Sequence, residues 1–160
     1  SQGAASLNEL VVESFGTTGP ALLHLCGERD YERLLKKVSR PDYKLVAYTD
    51  DFGAALGAAD LVVARSGGSV WEIAAAGKPA ILVPYPFATA DHQTKNARYF
   101  QRAGGAILMP ESELGRVPEL IRSLLGDPRR LAQMREAMLG VARPDAAEEI
   151  SEEVLRLAAT

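Results

Sequence analysis

The sequence predicts an α/β domain, a parallel sheet flanked by helices and followed by a helical C-terminal tail. Three observations carry that expectation. Five short aliphatic runs recur over the first two thirds of the chain, each close to a turn signal. Helix-length segments with apolar residues three and four apart lie between them. After Met109 the helical pattern continues alone.

The elements follow in order. Leu7, Leu10, Val11 and Ser14 share one helical face near the start. Ala21–Cys26 is the first strand, and Tyr31, Leu34, Leu35 and Val38 form the next apolar helix face. Lys44–Tyr48 and Asp60–Ala64 are strands two and three. Val70, Ile73, Ala74 and Gly77 line a short helix, Ala80–Pro84 is the fourth strand, and Ala97 and Phe100 mark the inner face of a helix over Asp91–Ala103. Ala106–Met109 closes the alternation, and strands separated by helices predict parallel pairing. The tail reads as helices over Ser112–Leu125, Pro128–Val141 and Asp145–Ala158, with Asp127-Pro128 and Arg143-Pro144 as breaks that place proline at or near a helix start. A doubly wound sheet begins with a strand, whereas this chain opens on Ser1-Gln2-Gly3-Ala4-Ala5, so the expectation is a fold whose first strand is missing from the sequence.

The 160 residues suit one domain with a real core, residues 1–160, without internal repeat or linker. The formal charge of −3 comes without blocks of like sign, which argues against nucleic acid as a partner. No apolar run reaches membrane-spanning length. The one cysteine, Cys26, rules out an internal disulfide framework; it lies in an apolar run and reads as a small core residue, as His24 reads as core.

Ligands of open parallel sheets bind beyond the carboxyl ends of the strands. Four segments fall there: Ser1–Ala4, Tyr48–Phe52, Arg65–Glu72 and Pro84–Gln93. In Arg65–Glu72, small residues run into a helix start, where backbone N–H groups and the positive dipole end favour a phosphate or diphosphate. A serine N-cap with turn-forming glycines is the competing explanation. Glu72, about one turn into that helix, either gains from the dipole or accepts hydrogen bonds from two vicinal hydroxyls. Asp50 or Asp51 is expected to cap the helix that starts at Phe52, and Thr89 or Asp91 the one that carries His92, Gln93 and Asn96. Neither P-loop nor Gly-x-Gly-x-x-Gly spacing occurs, and no metal-ligand spacing or nucleophile–base pair is evident.

Four stretches, SQGAASLNE, ADLVVARSGGSVWEIAAAGKPAILVPYP, ATADHQTKNA and AGGAILMPESEL, follow one another over most of residues 1–115. Together they resemble the C-terminal half of glycosyltransferase family 28, GT-B enzymes that include the UDP-GlcNAc transferase of peptidoglycan synthesis. The resemblance implies a Rossmann-like donor-binding domain. It implies that Glu72 holds the ribose hydroxyls of a UDP donor, that the Thr49 backbone reads the uracil edge, and that Phe52 lies over the base. Ser66, Gly67, Gly68, Ser69 and Val70 would line the diphosphate, with Ser1 touching the same region. His92 and Gln93 would bind GlcNAc hydroxyls, and Asn96 would support that helix start. Arg65 matches the family's arginine, with reaching the ligand and bracing the loop both open.

The reaction so implied moves GlcNAc from UDP-GlcNAc to lipid I, with inversion and without metal or cofactor, at the inner face of the cell membrane. In this family the general base and the acceptor and membrane surface belong to an N-terminal domain. That domain is absent from this sequence, so no catalytic residue is assigned, and the chain alone is expected to bind donor without turnover. A nucleotide-binding or scaffold module, and a related transferase with another UDP-sugar and acceptor, are the alternatives.

Overall fold

In the computed structural model, residues 4–158 are described. Helix α1 (Ala5–Phe15) leads into β1 (Leu22–Leu25), α2 (Glu28–Leu35), β2 (Tyr43–Val46), α3 (Phe52–Ala58) and β3 (Val62–Ala64). Then come α4 (Val70–Ala75), β4 (Ala80–Leu82), α5 (His92–Ala103) and β5 (Ala106–Leu108). All five expected strands form, each shorter than its apolar run. The pairing is parallel throughout, with Leu22 opposite Tyr43, Val62 opposite Ala80 and Ala80 opposite Ala106.

One sheet was the expectation; two ladders are present among the described residues, β1–β2 and β3–β4–β5. Side chains join what backbone bonds do not. Cys26 and Leu45 from the first ladder share a core with Ile81 and Val83 from the second, closed over by Leu7, Val12 and Phe15 of α1. The opposite face of β4 contributes Ala80 and Leu82 to a second core with Val70, Ile73, Ala97 and Phe100. β4 is therefore buried on both faces, as its uninterrupted aliphatic sequence requires. The strand expected ahead of Ser1 lies outside the described residues.

Helix faces are corrected in two places. The buried stripe of α1 runs through Val12 and Phe15 and leaves Ser14 at the margin, while Leu35, expected inside, is exposed. The first tail helix splits into a 3-10 turn over Glu111–Arg116 and α6 (Val117–Leu125). Helix α7 (Pro128–Val141) starts where expected, with Asp127 Oδ1 accepting from the Arg130 amide at 3.0 Å and Pro128 as the first residue. Helix α8 (Ala146–Ala158) ends the described chain. The tail is clasped to the back of the domain at two glycines. A Cβ on Gly77, whose φ of +62° already favours glycine, would stand 2.9 Å from Leu139 Cγ; one on Gly105 would stand 2.6 Å from Met138 Sδ.

A polar chain crosses the first core. Asn8 Nδ2 donates to Asp30 Oδ2 at 3.0 Å and to the Cys26 carbonyl at 2.9 Å, which leaves Asn8 Oδ1 to accept from His24 Nε2 at 3.0 Å. His24 Nδ1 must then accept from the Tyr43 hydroxyl at 2.7 Å. Burial raises the Tyr43 phenol and the Cys26 thiol, keeping the first a donor and the second inert. Burial lowers the His24 imidazole from its ordinary 6.5 to about 4, an effect the Asp30 charge only partly opposes. The unfolded chain is then the first to take up this proton, so stability is lost as pH falls below 6.5 and the loss levels off near 4. The ring alone should make the protein about 2 kcal/mol less stable at pH 5 than at pH 7. Urea denaturation at the two pH values reads the difference, and His24→Gln should abolish that component.

Candidate functional site

The carboxyl ends of β3 and β4 open into two loops that are bonded to each other. Ser66, near the start of the first loop, is fully buried. Its hydroxyl donates to the Gln93 carbonyl at 2.8 Å and its carbonyl accepts from Asn96 Nδ2 at 3.0 Å. Gln93 Oε1 in turn accepts from the Tyr85 amide at 2.9 Å. Ser66 thus faces α5 rather than open space, and Asn96 supports the β3–α4 loop instead of its own helix start. The Gln93 amide nitrogen donates to no acceptor among the described residues.

Beyond Ser66 the loop opens outwards. The Val70 and Trp71 amides turn back to the Gly67 and Gly68 carbonyls at 3.3 and 3.2 Å. The Gly67, Gly68 and Ser69 amides find no acceptor among the described residues. Ser69 occupies the N-cap position of α4 without a capping bond, so the serine-cap explanation fails for this helix. Neither Gly67 nor Gly68 has a positive φ, and a Cβ at either would meet nothing within 4 Å. Neither backbone conformation nor packing demands glycine there. The missing side chains instead keep clear the space in front of three unpaired amides. Glu72 stands in the first turn of α4, exposed and without an ion pair among the described residues.

Asp51 is the cap of α3, Oδ1 accepting from the Ala54 amide at 2.8 Å, and Thr49 Oγ1 accepts from the Asp51 amide at 3.2 Å. These bonds fix the turn that carries Thr49 and starts α3 at Phe52. Phe52 packs against the core that holds Val70 and Ile73. Ser1 lies outside the described residues.

The start of α5 departs from expectation. Neither Thr89 nor Asp91 caps it with a side chain; Ala90 and Asp91 instead take left-handed conformations, with φ of 51° and 54°. His92 Nδ1 donates to the Thr89 carbonyl at 2.8 Å, which makes Nε2 of the neutral ring an acceptor. Two residues escaped the sequence reading, Ser6 and Glu111. Ser6 donates to Glu111, and Arg65 donates to both. The only hint was an acid placed just after a strand end, in Met109-Pro110-Glu111. Among the described residues no three His, Cys, Asp or Glu side chains gather as a metal site, and no hydroxyl or thiol of Ser, Thr or Cys is bonded to a histidine. The site offers amide donors, one free carboxylate and the polar edge of α5, an arrangement suited to binding an anion next to hydroxyl groups.

Parallel strands with helical crossovers and a polar site at their carboxyl ends define a Rossmann-like ligand-binding domain. The chain belongs to glycosyltransferase family 28, whose C-terminal domain matches residues 1–150. It is 44% identical over 160 residues to the UDP-N-acetylglucosamine–N-acetylmuramyl-(pentapeptide) pyrophosphoryl-undecaprenol N-acetylglucosamine transferase of Halorhodospira halophila, covering 94% of this chain and 45% of that protein. The transferase of the same name from Nitratidesulfovibrio vulgaris is 40% identical, with 100% and 46% covered. The chain thus spans about half the length of these curated relatives. Among solved structures, Acinetobacter baumannii MurG superposes with a TM-score of 0.84 at 26% identity over 96% of this chain and 47% of that one. The calicheamicin glycosyltransferase CalG4, at 22% identity and a TM-score of 0.69 over 97% of this chain and 41% of that one, shares the fold.

Left-handed alanine and aspartate cost energy that glycine does not. Ala90→Gly should therefore stabilise the protein by up to about 1 kcal/mol, against the small entropic cost of glycine in the unfolded chain. Chemical denaturation of the two proteins side by side measures it.

Proposed function

We propose that residues 1–160 form one donor-binding domain for UDP-GlcNAc, the half of an inverting transferase that delivers GlcNAc to lipid I. The observation that carries this reading is the open space at Gly67 and Gly68, beside amides that find no acceptor among the described residues, with the Glu72 carboxylate, which has no ion pair among them, one turn into α4. In this reading the amides of Gly67, Gly68 and Ser69 hold the diphosphate, with Ser1 adding to it and Val70 beginning the helix behind it. Glu72 accepts from the two ribose hydroxyls. Thr49 and Phe52 present an edge and a face to uracil. The Gln93 amide and His92 Nε2 take opposite hydrogen-bonding roles toward GlcNAc hydroxyls.

In the reaction, the acceptor hydroxyl oxygen bonds to the anomeric carbon of GlcNAc from the face opposite the leaving group. The bond from that carbon to the β-phosphate oxygen breaks, its electron pair leaves on UDP, and the hydroxyl proton passes to a base. The base, the acceptor site and the peripheral contact with the inner membrane face belong to an N-terminal domain, and the step needs no metal. This chain's contribution is electrostatic, donors already aimed where charge grows on UDP. By itself it binds donor and does not turn over. No helix of the described residues is long and apolar enough to cross a membrane.

Calorimetry with UDP-GlcNAc, UDP, ADP and UDP-galactose tests the assignment. UDP-GlcNAc should bind in preference to ADP, and Glu72→Ala should weaken it by about tenfold or more, as expected for a lost charged acceptor. Gly68→Ala should lower affinity while leaving the melting temperature unchanged, because its Cβ intrudes only on the ligand's space. Equal affinity for ADP would mean a generic nucleotide module, and preference for UDP-galactose a transferase of another sugar.

A further inference from the structure

Arg65 is the side chain whose role the sequence leaves open, and its geometry is specific. Nη1 donates to the Val83 and Pro84 carbonyls, each at 3.3 Å, and to Glu111 Oε2. Nη2 donates to Ser6 Oγ at 3.2 Å, and the Ser6 hydroxyl donates to Glu111 Oε1. The three side chains close a ring of hydrogen bonds. The Tyr85 ring lies 5.7 Å from the guanidinium carbon, and only 13% of the Arg65 side chain is exposed. Burial alone would raise the Glu111 carboxyl, but the hydrogen bonds from Arg65 and Ser6 and the Arg65 charge outweigh it and hold the group below its ordinary range.

We propose that Arg65 is a positioning residue that works through Glu111 and Ser6 to anchor the Ser66–Val70 loop, and is not a ligand of the donor phosphates. The argument rests on charge and on connectivity. A guanidinium paired with a carboxylate presents little net field to a third group. Its donors reach three other segments: α1 through Ser6, the chain leaving β4 at Val83 and Pro84, and the turn after β5 through Glu111. None of the three carries a residue of the proposed donor pocket at its contact point, yet all converge on the residue directly before Ser66. A lysine could supply the charge but not the fork.

The reference to donor binding rests on the function proposed above, so the test has a ligand-free arm. Amide hydrogen exchange at Val70 and Trp71, whose amides bond back to the Gly67 and Gly68 carbonyls, should quicken by about tenfold or more in Arg65→Ala, in Glu111→Ala and in the double variant, to a similar extent in all three, because each breaks one shared unit. Arg65→Lys should resemble Arg65→Ala, and Ser6→Ala, the mildest change, should give a smaller effect if the others fold poorly. Unchanged exchange in Glu111→Ala overturns the proposal. In the second arm, calorimetry should show UDP affinity falling by about tenfold in each single variant and no further in the double, with uridine bound within about twofold of wild type. Wild-type or tighter UDP binding by Glu111→Ala, with loss in Arg65→Ala, would make Arg65 a direct phosphate ligand and overturn the proposal. Quickened exchange in a protein that binds no UDP at all would uphold the anchor and sink the donor-binding reading alone.

Discussion

Ser66 is a polar residue with no access to solvent, at a point where a strand has ended and no ladder remains to satisfy it. A buried hydroxyl or carbonyl without a partner costs on the order of 1–3 kcal/mol. Both groups are satisfied by α5, the hydroxyl by the Gln93 carbonyl and the carbonyl by Asn96. That exchange fixes how the first loop sits against the second. The amides of Gly67, Gly68 and Ser69 and the polar edge of α5 are then held in a set relation, because the pin between them is buried and both its hydroxyl and its carbonyl are bonded to α5. The same residue separates two kinds of chemistry. The Ser66 hydroxyl and carbonyl are both matched, whereas the Gly67, Gly68 and Ser69 amides just beyond find no acceptor among the described residues.

The same division decides what could be read from the sequence. Elements whose signals are local came through well. Helix α7 begins at Pro128 because Asp127 caps it and proline fits the first position, chemistry that spans four residues. The five strands were found because burial on both faces forces continuous aliphatic runs, though hydrogen-bonded pairing stops earlier than hydrophobicity does. Contacts between distant segments were not legible. Glu111 meets Arg65 across 46 positions and Ser6 across 105, and no periodicity encodes such a meeting. Nor did anything announce the left-handed pair at Ala90 and Asp91, since glycine, the usual sign of that conformation, is absent there. The lining role for Ser66 is what the family resemblance implies; only burial distinguishes a pin from a ligand.

The two ladders raise a related point about cohesion. Backbone bonds hold β1 to β2 and β3 to β4 to β5, and the two groups are joined through a shared apolar core. The chain from Tyr43 through His24 and Asn8 to Asp30 adds direction to that core, because each member can bond in one orientation only. It locks α1, β1, α2 and β2 into one unit, and α1 in turn delivers Ser6 to the strand ends.

The contact between α7 and the two glycines on the far side gives the tail a mechanical meaning. A Cβ on Gly77 or Gly105 would crowd Leu139 and Met138, and Met134 and Met138 are buried in the two cores, so the tail is held by shape as well as by apolar burial. Seams of that kind tolerate little: a single methyl group acts as a wedge, and its effect is levered along α4 and α5 to their opposite tips. Variation at the rear of the molecule is therefore constrained by what the front must do, although Gly77 and Gly105 lie at the ends of α4 and α5 away from the strand-end loops.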